Sequence, residues 1–183
     1  MTTIRPLDSL SADLLRSVMD PYRCTHFYRV QWADSLDRTA FTLDLVPLPE
    51  PAMRRYQVED EAWVRDTLAQ ADLRLGGYEG ERLDGVLIAS RHDWNRTLWV
   101  WEFHVASRAR GQGLGRALME AAVAQAREWG LRAVVCETQN RNAPGIQAYR
   151  RLGFALEGVD VSYYSNADWP DGDVAVFMKR RID

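Results

Sequence analysis

Three glycines, at 111, 113 and 115, stand between the alternating run "TLWVWEFHV" and a long alanine-rich segment that ends in Trp129 and Gly130. Alternation at period two predicts a strand over Thr97–Val105, and apolar spacing at i, i+3, i+4 and i+7 predicts a helix to Trp129, closed by Gly130. A glycine turn between strand and helix is a strong constraint. Glycine permits positive φ and close approach of backbone to another molecule. The first N–H groups of the helix that follows have no partner within it, and its dipole favours an anion there. Arg108, Arg110 and Arg116 add positive charge around the turn. A glycine-rich connection that binds nothing has the same local signature.

Two common phosphate-binding patterns fit this turn poorly. G-x-G-x-x-G is met at Gly111 and Gly113, but Arg116 stands at its third glycine. G-x-x-x-x-G-K-[ST] fails because the sequence holds no Gly-Lys pair. Helical spacing puts Leu114, Ala117, Leu118, Ala121, Ala122, Gln125 and Trp129 near the side that docks on a sheet.

Elsewhere, "TTIRPL" reads as a strand, and Ser11 as the cap of a helix "SADLLRSVMD" that Pro21 stops. "TAFTLDLVPL" alternates like a strand, after which Pro47, Pro49 and Pro51 rule out a central ladder position. A helix "EDEAWVRDTLAQ" and a hairpin over "DLRLGGYEGERLDGVLIASRHDW" precede the glycine turn. After it come a strand "LRAVVCETQ", a helix "NAPGIQAYRRL", and two strands, "FALEGVDVSYY" and "DVAVFMKRR", joined by "SNADWPDGD". This order implies one mixed α/β domain over residues 1–183 with a largely antiparallel sheet. A net charge of -3 argues against a nucleic-acid partner, and no run approaches the ~18 apolar residues of a membrane span. Cys24 and Cys136 are far apart and form no CxxC, so neither a zinc site nor a disulfide framework is indicated. The default reading is a cytoplasmic protein with no metal.

"Arg110-Gly111-Gln112-Gly113-Leu114-Gly115" resembles the [QR]-x-x-G-x-[GA] signature of the GNAT superfamily of N-acetyltransferases. The later stretch from Asn142 through Tyr149 to Gly153 and Phe154 resembles that family's N-x-x-A-x-x-x-Y-x-x-x-G-F segment, with Gly145 where alanine is usual. Within the superfamily, "CETQNRNAPGIQAYRRLGF", "VDVSYYSN" and "DVAVFMKR" look like the streptothricin acetyltransferase branch. The resemblance implies a central sheet of six to seven strands flanked by about four helices, with a cofactor-binding core over about 72–156. It implies acetyl-coenzyme A as co-substrate, held by Arg110, Gly111, Gln112, Gly113, Leu114, Gly115 and Arg116. Val105 (whose N–H would meet the oxyanion), Asn142 and Tyr149 complete that set. Tyr149 would protonate the leaving thiolate.

Acetyl transfer to an ammonium with a pKa of ~10.4 is helped by a general base. Strand alternation puts Trp99, Trp101, Phe103 and Val105 on one face and Val100, Glu102 and His104 on the other. Glu102, inside an aromatic strand just before the turn, is the preferred base; a structural ion pair is its alternative. His104 is the rival, and Glu137 a third candidate. Asp160, Tyr163, Tyr164, Asp168, Trp169 and Asp173 would suit a cationic acceptor through charge and ring contact, although Asp168 and Asp173 read better as loop residues. The expected activity is therefore direct acetyl transfer to a small cationic amine, as in streptothricin. A protein N-terminus, a polyamine, or coenzyme A binding without turnover remain alternatives, and a homodimer is compatible with each.

Overall fold

The structure, a computed structural model, describes residues 2–57 and 60–182. Its strands are β1 (Thr2–Pro6), β2 (Tyr22–Asp34), β3 (Thr39–Arg54), β4 (Leu73–Glu79), β5 (Arg82–His92), β6 (Thr97–Val105), β7 (Ala133–Gln139), β8 (Ala155–Asp160) and β9 (Ala175–Arg181). Its helices are α1 (Ala12–Arg16), α2 (Glu61–Gln70), α3 (Leu114–Glu128) and α4 (Ala143–Arg151). Seven strands form one sheet in the order β1-β4-β5-β6-β7-β9-β8, and β2 pairs with β3 alone. The pairs β1/β4, β4/β5, β5/β6 and β8/β9 are antiparallel. This is the mixed α/β architecture expected from the sequence.

The residues group into two compact units, one from Met1–Pro21, Arg55–Val135 and Arg181–Asp183, the other from Tyr22–Arg54 and Cys136–Arg180. In the first, Val86 and Ile88 of β5 bury against Leu7, Leu10, Ala12, Leu15 and Val18 around α1 and Val64 of α2. Ser11 caps α1 through Leu14 N–H, as expected, but that helix ends at Arg16, short of Pro21. Asp60 caps α2 through Trp63 N–H. Glu59, where the predicted helix began, lies outside the described residues.

The opposite face of β5 receives α3. A Cβ on Gly85 would lie 2.8 Å from Leu118 Cδ1 and 3.3 Å from the His104 carbonyl oxygen, and one on Gly77 would strike Leu114. Two glycines on adjacent strands thus form a seat for two leucines of α3. The buried side of α3 is Leu114, Leu118, Met119, Ala122, Val123 and Ala126, not the stripe predicted above. Ala117 is exposed, and Ala121, Gln125 and Trp129 are half-buried. Seating Leu114 and Leu118 in the glycine notch rolls the helix, so that its i, i+4 row leads the contact.

In the second unit, β2 and β3 form a long antiparallel ribbon, where the sequence had shown one alternating stretch. Its register shifts between Cys24, opposite Ala52, and His26, opposite Pro47. Pro49 and Pro51 therefore fall where the ladder is broken, consistent with exclusion from a central strand. β8 ends at Asp160, so Val161–Tyr164 belong to the connection rather than to the predicted strand. Asn142 caps α4 through Gly145 N–H, 3.0 Å away, and a Cβ on Gly145 would collide with the Asn142 amide. The tight cap is the local reason for glycine at this point.

Because α3 is seated on bare backbone, Gly85→Val is expected to destabilise the chain by about 1–3 kcal/mol through overpacking. Thermal unfolding reads this directly; an unchanged Tm would mean that α3 does not rest on β5.

Candidate active site

α1, α2 and α4 are each capped by their own N-cap side chain. α3 is different: Gly113, its N-cap, supplies no side-chain cap. Gly111 has φ +75° and Gly113 φ +89°, and a Cβ on either would meet nothing within 4 Å. The turn needs glycine for its backbone conformation and leaves open space beside that backbone. Arg110 to Gly113 are exposed, and Leu114 is buried in its notch.

The turn is anchored from behind. Asp84, 1% exposed, accepts two hydrogen bonds from Arg82, both at 2.9 Å, and one at 2.6 Å from Arg108 Nε. Arg108, counted above among the charges around the turn, is therefore an anchor of it. Arg82 and then Arg108 hold the Asp84 carboxyl below the ordinary aspartate range, against the opposing effect of burial. Asp20 accepts from both the N–H and the hydroxyl of Ser107, and these bonds lower its pKa likewise. Arg110 Nε donates to the Val105 carbonyl at 2.9 Å, and Gln112 Nε2 to the Arg108 carbonyl at 2.8 Å. The one sequence signal for Asp84 is that it is the lone carboxylate entering the apolar run "GVLIAS".

β6 does not alternate throughout. Its register with β5 shifts between Ile88, opposite Glu102, and Ala89, opposite Val100, so Trp101 is an extra residue. Strict alternation, which had separated both tryptophans from Glu102, is corrected by this bulge. Trp99 lies opposite Ser90, and Trp101 Nε1 donates to Ser90 Oγ at 3.0 Å, which in turn donates to the Gln70 carbonyl at 2.8 Å. Phe103 and Val105 remain on the other face, against Gly115 of α3. A cavity of about 300 Å³ is lined by Trp101 and Glu102 of β6 and by Trp63, Asp66, Thr67 and Gln70 of α2. Trp63 and Asp66 were missed in sequence, since their meeting with Glu102 depends on how α2 docks. His104 Nε2 lies 2.5 Å from Glu102 Oε2, and the Tyr56 ring packs edge-on to His104 with centroids 5.0 Å apart.

In the second unit, Tyr149 packs on Phe154 with ring centroids 5.6 Å apart. Its side chain also hydrogen-bonds Cys136, whose thiol pKa is pushed up by burial and eased down by this bond. Asn142 is buried, and both ends of its amide are engaged, with Gly145 N–H and with Thr138 Oγ1 at 2.9 Å. Glu137 accepts from the Tyr164 hydroxyl; burial raises its pKa and this bond opposes the rise. Asp168 accepts from Tyr164 N–H and Ser165 Oγ within its own loop, as read from sequence, whereas Asp173 pairs with Arg54 at the end of β3 at 3.1 Å. Glu102 and Tyr149 thus belong to different units.

An uncapped helix behind two left-handed glycines, on a mixed sheet of this order, defines a class. Residues 26–154 match the model of the acetyltransferase (GNAT) family, and the chain belongs to that family. It is 35% identical over 144 residues to the streptothricin acetyltransferase of Streptomyces lavendulae, covering 75% of each chain. The crystal structure of nourseothricin acetyltransferase superposes with a TM-score of 0.77 at 31% identity, over 100% of this chain and 99% of that one. A protein from Bacillus anthracis str. Ames, solved in complex with acetyl coenzyme A, superposes with a TM-score of 0.75 over 99% of both chains. At 19% identity, that likeness is one of fold.

The anchoring of the turn predicts acid sensitivity. A carboxyl whose folded pKa is depressed stabilises the fold above its unfolded pKa of ~3.9 and loses that contribution as pH falls through the folded value. Asp84→Asn is expected to cost about 1–3 kcal/mol at neutral pH and to flatten the loss of stability below about pH 4. Urea unfolding from pH 3 to 7 measures both; identical curves for variant and wild type would remove Asp84 as an anchor.

Proposed function

We propose that this chain is an acetyl-coenzyme A–dependent N-acetyltransferase whose acceptor is a primary amine of a small cation of the streptothricin type. One observation carries the donor half: the uncapped N-terminus of α3 behind Gly111 and Gly113. Helix N–H groups, a favourable dipole and open space beside glycine backbone suit a pyrophosphate. Gly111, Gln112, Gly113, Leu114, Gly115 and Arg116 would hold it, with Arg110 bracing the turn through the Val105 carbonyl. Asn142 contributes by fixing the start of α4. For the acceptor, the cavity lined by Glu102, Asp66, Trp63 and Trp101 offers two carboxylates and two aromatic faces, which favours a cation. Similarity to streptothricin and nourseothricin acetyltransferases supports the same choice.

Bound acetyl-coenzyme A supplies the reactive thioester. Glu102 takes one proton from the acceptor ammonium, freeing the nitrogen lone pair for direct attack in a ternary complex. A backbone N–H near Val105 donates to the carbonyl oxygen as negative charge develops there, which typically contributes more than a single side chain. The N–C bond forms, the C–S bond breaks, and the nitrogen sheds a second proton. Tyr149 protonates the leaving thiolate and is restored by one of the two protons released. The sum is one amide, one thiol and one proton lost to water.

Thiol release over a panel of amines including streptothricin, run beside an acetyl-coenzyme A thermal shift, tests this reading. A shift without release from any amine would favour a coenzyme A–binding sensor. Tyr149→Phe is expected to lower kcat ~10²-fold, the usual worth of a positioned acid. Its affinity for acetyl-coenzyme A should stay within about threefold of wild type, and unchanged turnover would remove Tyr149 as the acid.

A further inference from the structure

We infer that His104 is a positioning residue for Glu102, holding one carboxylate oxygen so that the other stays turned to the cavity beside α2. The inference rests on Glu102 as the base proposed above. The two residues lie two apart on β6 beyond the bulge, opposite Ile88 and Val86, and so share one face of the sheet. His104 Nε2 meets Glu102 Oε2 at 2.5 Å, and their side chains are 9% and 14% exposed. An ionised carboxylate only accepts, so the hydrogen of this contact belongs to Nε2. Hydrogen bonds to a charged acceptor are among the stronger ones in proteins. The imidazole is itself held, by the Tyr56 ring packed edge-on at 5.0 Å and 69°.

A glutamate side chain has several rotamers, and productive proton transfer requires the carboxylate within hydrogen-bond reach of the amine. Glu102 lines the cavity and His104 does not. The division of labour follows: Glu102 touches the acceptor, and His104 acts through Glu102. Among the described residues around the pair, Tyr56 ahead of α2 and Asp66 on α2 are further titratable groups. Val86 and Ile88, across on β5, carry no charge. Among the described residues, the His104 imidazole is the side chain that meets the Glu102 carboxylate at hydrogen-bond distance, so its N–H is what orders the carboxylate.

The test uses the whole chain, acetyl-coenzyme A and two primary amines. One is a simple alkylamine, an ammonium ion at neutral pH; the other is trifluoroethylamine, far less basic and mainly free base there. His104→Gln keeps an N–H donor, and His104→Leu removes it; thermal unfolding checks that both fold. With the alkylamine at pH 7, His104→Leu is expected to lower kcat about tenfold or more, with the KM for acetyl-coenzyme A within about twofold. The deficit should shrink below about threefold with trifluoroethylamine, or with the alkylamine near pH 10, because the base is then dispensable. His104→Gln should recover most of the lost rate. Equal deficits for both amines, no deficit at all, or no recovery with glutamine would overturn the positioning role while leaving the proposed function standing. Wild-type protein that releases thiol with no amine would overturn both.

Discussion

Asp84 and Gly85, adjacent on β5, set the two ends of the strand–turn–helix segment. The carboxylate of Asp84 gathers Arg82 and Arg108, and its backbone carbonyl accepts from Ala106 N–H at 2.9 Å. Together these fix the chain just ahead of the glycine turn. Gly85, by having no side chain, lets Leu118 reach the sheet and so fixes the helix just beyond it. A turn with two left-handed glycines is intrinsically free to move. Held at both ends, it would lose little further entropy on binding the anion proposed for it, which is the benefit of preorganisation.

The bulge at Trp101 does a comparable service on the other face. One additional residue turns two tryptophans toward α2, on the side where Glu102 and His104 already point. The chain of hydrogen bonds from Trp101 through Ser90 to Gln70 ties the bulge to both β5 and α2. A cavity wall, a carboxylate and its imidazole neighbour therefore come from one short strand.

Local features were legible in the sequence because their causes are local. The side-chain caps at Ser11 and Asn142 follow from residue type next to a periodic run, whereas Asp60, the cap of α2, stood inside the helix expected from Glu59. The glycine turn and the Asn142–Tyr149 segment carried the resemblance to the family through their motif residues. Features set by distant partners were not legible. The face of α3 depended on glycines about thirty residues away, and the pairing of β2 with β3 on a register that no single strand displays. Alternation in β6 was misread at Trp101 because a bulge adds a residue without changing composition. Trp63 and Asp66 come to line the cavity beside Glu102 only through the docking of α2.

The proline-studded stretch of β3 has a consequence for life at high concentration. Open strand edges are templates for recruiting foreign chains; on β2, Asn140 and Trp169 hydrogen-bond the backbone at Tyr28 and Val30. β3 interrupts its template with prolines at 47, 49 and 51. A strand trying to extend the ribbon there meets three positions within five residues that have no N–H to offer. The ribbon can therefore expose Trp32, Phe41 and Leu45 while resisting the hydrogen-bonded growth that would turn a crowded solution into fibres.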